Sequence, residues 1–296
     1  MENGSQFYAV KPILLEFNGS EVKKHFIQGL VYIDSIHFGM DWFKNSKGFI
    51  FNDYKNIYLY EIKNMQINEL LKYELGQNDY LLGAKVSPNG DKIAYFKSEY
   101  RDFEDKDYGK TELHIIDLKG NIINKVENVF CHNSADAYFI PLQFDWKDNE
   151  NIISEGFIKN ESKTDTAIYD YYVTVTDANI YNINILTNKV DLLLEHAANP
   201  SILEDLLIVS STKWNENGYL DYYGGKIIDI KNINTIYNIE GNLSYSAFSD
   251  GLGTLAYELY DYDFFTYIFD IEQKRIINKI EGKLFGTGGG AYYIIK

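Results

Sequence analysis

Leu82–Val126 reads LGAKVSPNGDKIAYFKSEYRDFEDKDYGKTELHIIDLKGNIINKV. Ser87-Pro88-Asn89-Gly90 separates two apolar runs in it. Pro88 presets one turn angle and Asn89-Gly90 tolerates positive φ, so these residues spell a hairpin turn. Lys92–Phe96 (KIAYF) is β-branched and aromatic enough for a buried strand. After a polar loop, Leu113–Asp117 (LHIID) leads through Leu118-Lys119-Gly120-Asn121 into Ile122–Val126, a second hairpin turning on Gly120-Asn121. Four short strands joined by tight turns make one small antiparallel sheet.

The second hairpin recurs as PILLEFNGSEVKKHFIQ from Pro12, IYLYEIKNMQINELLKYE from Ile57, IYNINILTNKVDLLLE from Ile180, KIIDIKNINTIYNIE from Lys226 and YIFDIEQKRIINKIE from Tyr267. The first recurs with more drift as MDWFKNSKGFIF from Met40, FDWKDNENIIS from Phe144, PSILEDLLIVS from Pro200, SAFSDGLGTLAY from Ser246 and KLFGTGGGAYYII from Lys283. Phe49, Ile93, Ile152, Leu207, Leu255 and Tyr292 fall at equivalent places, with steps of about 44, 59, 55, 48 and 37 residues, close to the ~40–50-residue period of a propeller blade. Met65–Tyr73 comes nearest to a helical stripe, but the repeat reads it as strand.

The pattern predicts an all-β chain, a six-bladed β-propeller of four-stranded antiparallel blades, spanning 1–296 as a single domain. Blades are expected at about 41–76, 80–129, 139–195, 200–240 and 245–282. The sixth would combine 283–296 with 6–29, because one end of the chain carries a second hairpin alone and the other a first hairpin alone.

SPNGDKIAYF followed by ELHIIDLKGN resembles the WD40-like repeat of TolB-type β-propellers, in which a Ser-Pro-Asp-Gly turn precedes an apolar strand and a later strand ends in Asp. FSDGLGTLAYELY followed by YIFDIEQKR resembles it more loosely, and Trp42 and Trp146 stand near the expected place in blades without Ser-Pro. The resemblance implies a sensor or accessory subunit of an exported assembly.

Bulk composition excludes several classes. A net charge of −15 argues against nucleic acid or an anionic membrane surface, which need Lys/Arg patches. No apolar run approaches membrane-spanning length, so no membrane insertion is expected. One cysteine, Cys131, excludes an internal disulfide, and its neighbour His132 points to the opposite side of an extended chain, which makes a Cys–His nucleophile awkward. No signal peptide is legible at the amino end; the chain is expected outside the cell if a leader was trimmed and in the cytoplasm otherwise. Gly286-Thr287-Gly288-Gly289-Gly290 precedes a strand, not a helix, and reads as a hairpin turn and not as a phosphate loop.

Chemistry is sought in the loops between second and third strands, which open on the same face as the connections between blades. Those at 98–111, 159–177, 213–224 and 258–265 mix aromatic and acidic residues. The first carries Tyr100, Phe103 and Tyr108, and the second Tyr171 and Tyr172. Trp214, Tyr219, Tyr222 and Tyr223 lie in the third, and Tyr260 and Tyr262 in the fourth. Amphipathic rings beside acids suit a sugar face or a basic peptide; in a chain with 26 Tyr, the same rings also suit packing between loops. The leading expectation is a monomeric, non-enzymatic propeller recognising a protein, peptide or carbohydrate on this face.

Two metal readings accompany it, although no cofactor is predicted outright. Asp102, Glu104, Asp105 and Asp107 share one loop and offer oxygen ligands for calcium, but lack the glycine and closing Glu of an EF-hand. His37, His132 and His196 fall where one blade passes into the next and would suit a transition metal if they converged at the channel mouth. That arrangement is the alternative, a metal-dependent hydrolase or lyase. His25 and His114 lie in strand patterns and read as ordinary sheet residues.

Overall fold

A computed structural model describes residues 13–18, 21–26, 40–43, 47–52, 55–72, 79–99, 109–132, 143–156, 167–168, 171–172, 178–214, 220–241, 243–249, 253–259, 265–288 and 291–295. All regular structure among them is β. The first four-stranded sheet holds β3 (Met40–Trp42), β4 (Gly48–Asn52), β5 (Asn56–Glu61) and β6 (Gln66–Lys72). The second holds β7 (Asp79–Val86), β8 (Lys92–Glu99), β9 (Gly109–Asp117) and β10 (Ile122–His132). The third holds β11 (Phe144–Trp146), β12 (Asn151–Gly156), β15 (Asn179–Asn184) and β16 (Lys189–Leu194), with a small hairpin of β13 (Ala167–Ile168) and β14 (Tyr171–Tyr172) inserted. The fourth holds β17 (Ala197–Leu203), β18 (Leu206–Trp214), β19 (Leu220–Asp229) and β20 (Asn234–Ile239). The fifth holds β21 (Leu243–Ser249), β22 (Thr254–Leu259), β23 (Phe265–Asp270) and β24 (Arg275–Glu281).

Every sheet is an antiparallel meander, and the first strand of each touches the first strand of the next: β3 with β7, β7 with β11, β11 with β17, β17 with β21. First strands that meet one another converge on a common axis, so the sheets are blades of a β-propeller. The blades number five among the described residues, not six. β1 (Ile13–Asn18) pairs only with β2 (Glu21–Phe26), and β25 (Lys283–Gly288) only with β26 (Ala291–Ile295). Counting hairpin patterns gives six; a blade also requires its two hairpins to share one ladder, and five pairs do. The β25–β26 hairpin packs beside the fifth blade, against β21, β22 and β23.

The core lies between blades. Leu82, Phe96 and Phe130 of blade 2 meet Phe144, Trp146 and Tyr181 of blade 3 in one apolar cluster. Ile50 and Ile57 of blade 1 pack on Val86, Ile93 and Tyr95 of blade 2. Ile153 and Ile180 join Leu207 and Val209 across the next seam, and Ile208 and Ile227 join Leu255 and Phe269 across the last. Each blade therefore buries both faces of its middle strands, which is why KIAYF and LHIID are apolar without strict alternation.

Turn chemistry explains the repeat. Asp117, at the end of β9, accepts through Oδ1 from the amides of Lys119 and Asn121 at 2.8 and 2.9 Å. Asn184, Asp229 and Asp270 do the same for the turns after β15, β19 and β23. An acid or amide closing the third strand is thus an Asx turn that starts the fourth. The last residue of each third-to-fourth turn is left-handed, Gly120 at φ 83°, Asn188 at 57°, Ile233 at 55° and Lys274 at 52° in the Asx turns, and Met65 at 50° in the blade 1 turn after Glu61.

Candidate functional site at the rim of blades 3 and 4

Loop lengths make the two faces unequal. On one face, first-to-second and third-to-fourth turns are tight, as at 87–91, 118–121, 204–205 and 271–274. On the other, strands run on past the blade. β18 and β19 continue pairing through Thr212↔Tyr222, Lys213↔Asp221 and Trp214↔Leu220, so much of the segment expected as a loop at 213–224 is a projecting two-stranded arm. The 98–111 loop is likewise shorter than expected, because Ser98 still pairs with Thr111. In the 159–177 segment the backbones of Tyr171 and Tyr172 pair with Ile168 and Ala167 in the inserted hairpin.

The arm stands beside the passage from blade 3 to blade 4. His196 sits in that passage in a left-handed conformation, φ 54°, with its residue exposed. Its amide donates to Oδ1 of buried Asn179 at 2.9 Å, and its carbonyl accepts from the amide of Thr212 at 2.9 Å. His196 and the base of the arm therefore share one rim. Tyr223 is 59 % exposed on the arm, while Tyr222 is half-buried and packs on the blade 2–3 core, anchoring the arm more than presenting it.

Below the rim is a polar group that sequence reasoning missed. Glu155, near the end of β12, is 0 % exposed. Its Oε2 accepts from the amide of Asn199 on β17 at 2.9 Å, and its Oε1 has no hydrogen-bond partner among the described residues. Asn199 is also left-handed, at φ 53°, and its Nδ2 donates to Ser210 Oγ at 3.2 Å. Ser210 Oγ in turn reaches the carbonyl of Leu243 on blade 5 at 3.5 Å. Burial pushes the Glu155 carboxyl up to about 7, against the pull of the Asn199 amide. The available signal was a lone acid in the otherwise apolar or neutral run NIISEG, followed by a glycine whose Cβ position is taken by the Phe130 ring.

Further along the axis, the first strands place Asp41, Lys85, Asp145 and Ser201 at one level, since they pair with Ile50, Ala94, Ile153 and Ile208. Lys85 Nζ lies 3.7 Å from Asp41 Oδ1. Asp41 keeps 27 % of its side-chain surface, yet the protein crowded around it raises its proton affinity, opposed by Lys85 and the Val86 amide. Asp145 is pushed up to about 6 by burial, with Lys85 opposing and Asp41 adding to the rise. Each acid also holds a backbone amide of the following blade, Val86 for Asp41 and Ile202 for Asp145, and Trp146 Nε1 donates back to the Lys85 carbonyl at 3.0 Å. These bonds clamp seams.

Several expected site residues lie outside the described residues: Tyr100, Phe103, Tyr108, Tyr219, Tyr260, Tyr262, His37, Asp102, Glu104, Asp105 and Asp107. His132 is placed by its backbone, opposite Gly109, and Trp214 by its backbone at the arm's end. His114 is buried in the sheet, with Nδ1 on Tyr95 Oη at 2.9 Å and Nε2 on Glu112 Oε2 at 2.8 Å. Among the described residues no three His, Cys, Asp or Glu side chains are grouped to hold a metal ion, and no helix is long and apolar enough to cross a membrane.

No family model and no curated protein matches the sequence. Solved structures do match in shape. An oligogalacturonate lyase in complex with manganese superposes with a TM-score of 0.54 at 12 % identity, over 83 % of this chain and 64 % of that one. TolB from Acinetobacter baumannii gives 0.54 at 12 %, over 90 % and 61 %. A putative TolB from Agrobacterium tumefaciens gives 0.52 at 12 %, over 92 % and 95 %. The chain thus spans less than two thirds of the first two. Identities this low speak for the fold alone. Together with the blade repeat and its Asx-closed third strands, they show that this chain has a β-propeller fold similar to that of TolB.

Proposed function

We propose that the protein is a non-enzymatic binding propeller that recognises a protein, peptide or carbohydrate on the face carrying the β18–β19 arm. The observation behind this reading is the asymmetry of the faces: tight turns on one, and on the other strands that outrun their blades and end in aromatic and acidic residues. Extra ladder beyond what a blade needs gives a rigid platform, and rigid platforms carrying rings and carboxylates suit recognition. The aromatic and acidic segments around Tyr100, Tyr171 and Tyr260 belong to the same proposed face. A net charge of −15 favours a neutral or basic partner. In this reading the chain acts as one domain and as a monomer.

The test is substitution of Trp214 and Tyr223 by Ala, followed by glycan-array and native-source peptide and protein capture. The variant is expected to lose the partner that the parent captures while its melting temperature is unchanged. Identical capture by variant and parent removes the arm from the reading.

A further inference from the structure

Glu155 has the geometry of a seam residue whose charge the seam does not accommodate. It belongs to blade 3; among the described residues its carboxyl makes one hydrogen bond, to blade 4, and its second oxygen is buried without a partner. An ionised carboxylate needs several donors or a cation to leave water, whereas a neutral acid needs far less. Among the described residues, the elements packed around it supply neither. β17 contributes the Asn199 amide, with Ser210 of β18 behind it; β15 pairs Ile180 with Glu155 and Asn179 with Gly156; and β10 contributes the Phe130 ring against Gly156. The titratable groups nearest in sequence on these elements are His196, Glu195 and Lys213, all exposed. On β11, Asp145 is engaged with the amides of Trp146 and Ile202.

We propose that Glu155 is a proton-operated latch between blades 3 and 4: neutral, it stays buried and keeps the His196–Pro200 passage seated, and once ionised its unpaired oxygen draws in water and loosens that seam. The link to the passage is covalent and short. Asn199 is held in a left-handed conformation by two contacts, its amide on Glu155 and its side chain on Ser210, and His196, three residues earlier, is also left-handed and bonded to the base of the arm. The Asn199 amide bonds the carboxylate at least as well as the acid, so the seam opens through hydration of the unpaired Oε1, and that opening strains both contacts. The Ser210–Leu243 contact carries the same seam on to blade 5. The raised proton affinity of Glu155 places the transition near neutral pH, where a small change of environment throws the latch. This inference is independent of what the arm face binds.

The sign follows from linkage. A carboxyl whose proton affinity is higher in the fold than in the unfolded chain stabilises the fold fully below its unfolded value and loses that contribution as pH rises through the folded one. The window runs from 4.5 up to about 7. Asp145 contributes with the same sign in parent and variant, so their difference isolates Glu155. In urea unfolding at pH 5 and pH 8, the folding equilibrium of Glu155→Gln relative to the parent is expected to gain on the order of a hundredfold across that window. Hydrogen exchange of the Asn199 amide, corrected for intrinsic rates, is expected to accelerate above pH 7 in the parent and not in the variant. Parallel pH profiles for parent and Glu155→Gln overturn the proposal. So does a carboxyl carbon resonance of Glu155 in the unsubstituted protein that titrates near 4.5, a measurement that needs no variant to fold.

Discussion

Asp41 and Val86 belong to different blades, and Oδ2 of Asp41 accepts the amide proton of Val86 at 2.8 Å. The first strands are too far apart to form a sheet, so an acidic side chain spans the gap that a ladder would fill. Trp146 closes the neighbouring seam from the other side by donating to the Lys85 carbonyl. Removing either donor–acceptor pair leaves a backbone group unsatisfied near the axis. Asp41→Ala is expected to cost about 1–2 kcal/mol, the lower part of the range for charged hydrogen bonds because Asp41 is partly exposed, and Trp146→Phe about 1 kcal/mol. Urea unfolding with unchanged slope checks both.

The left-handed turn residues separate two opposite outcomes. Gly120 sits at φ 83°, and a Cβ there would lie 1.9 Å from the Leu70 carbonyl oxygen on blade 1. Gly120→Ala is expected to destabilise by at least about 2 kcal/mol, from strain plus displaced backbone. Ile233 holds the corresponding place in blade 4 at φ 55°, with 44 % of its surface exposed. A β-branched residue is poorly suited to that conformation, so Ile233→Gly is expected to stabilise by about 0.5–1 kcal/mol. Thermal melts of the two variants should move in opposite directions.

Acid stability is expected to depend on His114. Burial lowers its proton affinity, and the bond to Glu112 opposes that without overcoming it. Protonation is then easier in the unfolded chain. Stability is complete above the ordinary histidine value of 6.5 and falls as pH drops from there through the lower folded value. For Glu112, burial raises proton affinity, but the bonds and charges of His114 and Lys125 bring it below the ordinary value, so its contribution is lost further down with the same sign. His114→Gln is expected to flatten the decline between pH 7 and pH 5, read by urea midpoints. This trend is opposite to that of Glu155.

Tyr222 and Tyr223 adjoin in sequence and differ in task. Tyr223→Ala alone is expected to change stability by no more than about 0.5 kcal/mol, as for exposed positions generally. Tyr222→Ala removes a ring that packs on the blade 2–3 core and is expected to cost about 1–3 kcal/mol. Paired melts distinguish the contact ring from the anchor.

The blade was legible because its information is local. Pro88-Asn89-Gly90 and Gly120-Asn121 specify turns through their own backbone preferences, and Gly90 and Gly120 do take positive φ, at 74° and 83°. The equivalent positions Phe49, Ile93, Ile152 and Leu207 pair as expected, opposite Trp42, Val86, Trp146 and Ile202. What joins blades was not legible. The Asp41–Val86 and Trp146–Lys85 bonds connect residues 45 and 61 apart, and nothing within one repeat marks the acid as a bridge. Blade number failed for a related reason: the hairpin from Pro12 carries the repeat's pattern, but pattern does not determine which ladder it joins. Glu155 was hidden because an acid near a strand end ordinarily reads as exposed, and only the neighbouring blade makes it buried.

The Asx-closed turns have one more consequence, for how such a chain changes over generations. Asp117, Asn184, Asp229 and Asp270 confine the lower face to a fixed stitch that each copy reproduces from its own residues. Among the described residues the upper face has no such stitch, so beyond the Tyr222 anchor and the base bonded to His196 the arm of blade 4 can lengthen, shrink or be exchanged without disturbing the seams beneath. Novelty is thereby routed to one side of the ring, and the scaffold is spared the cost of accommodating it.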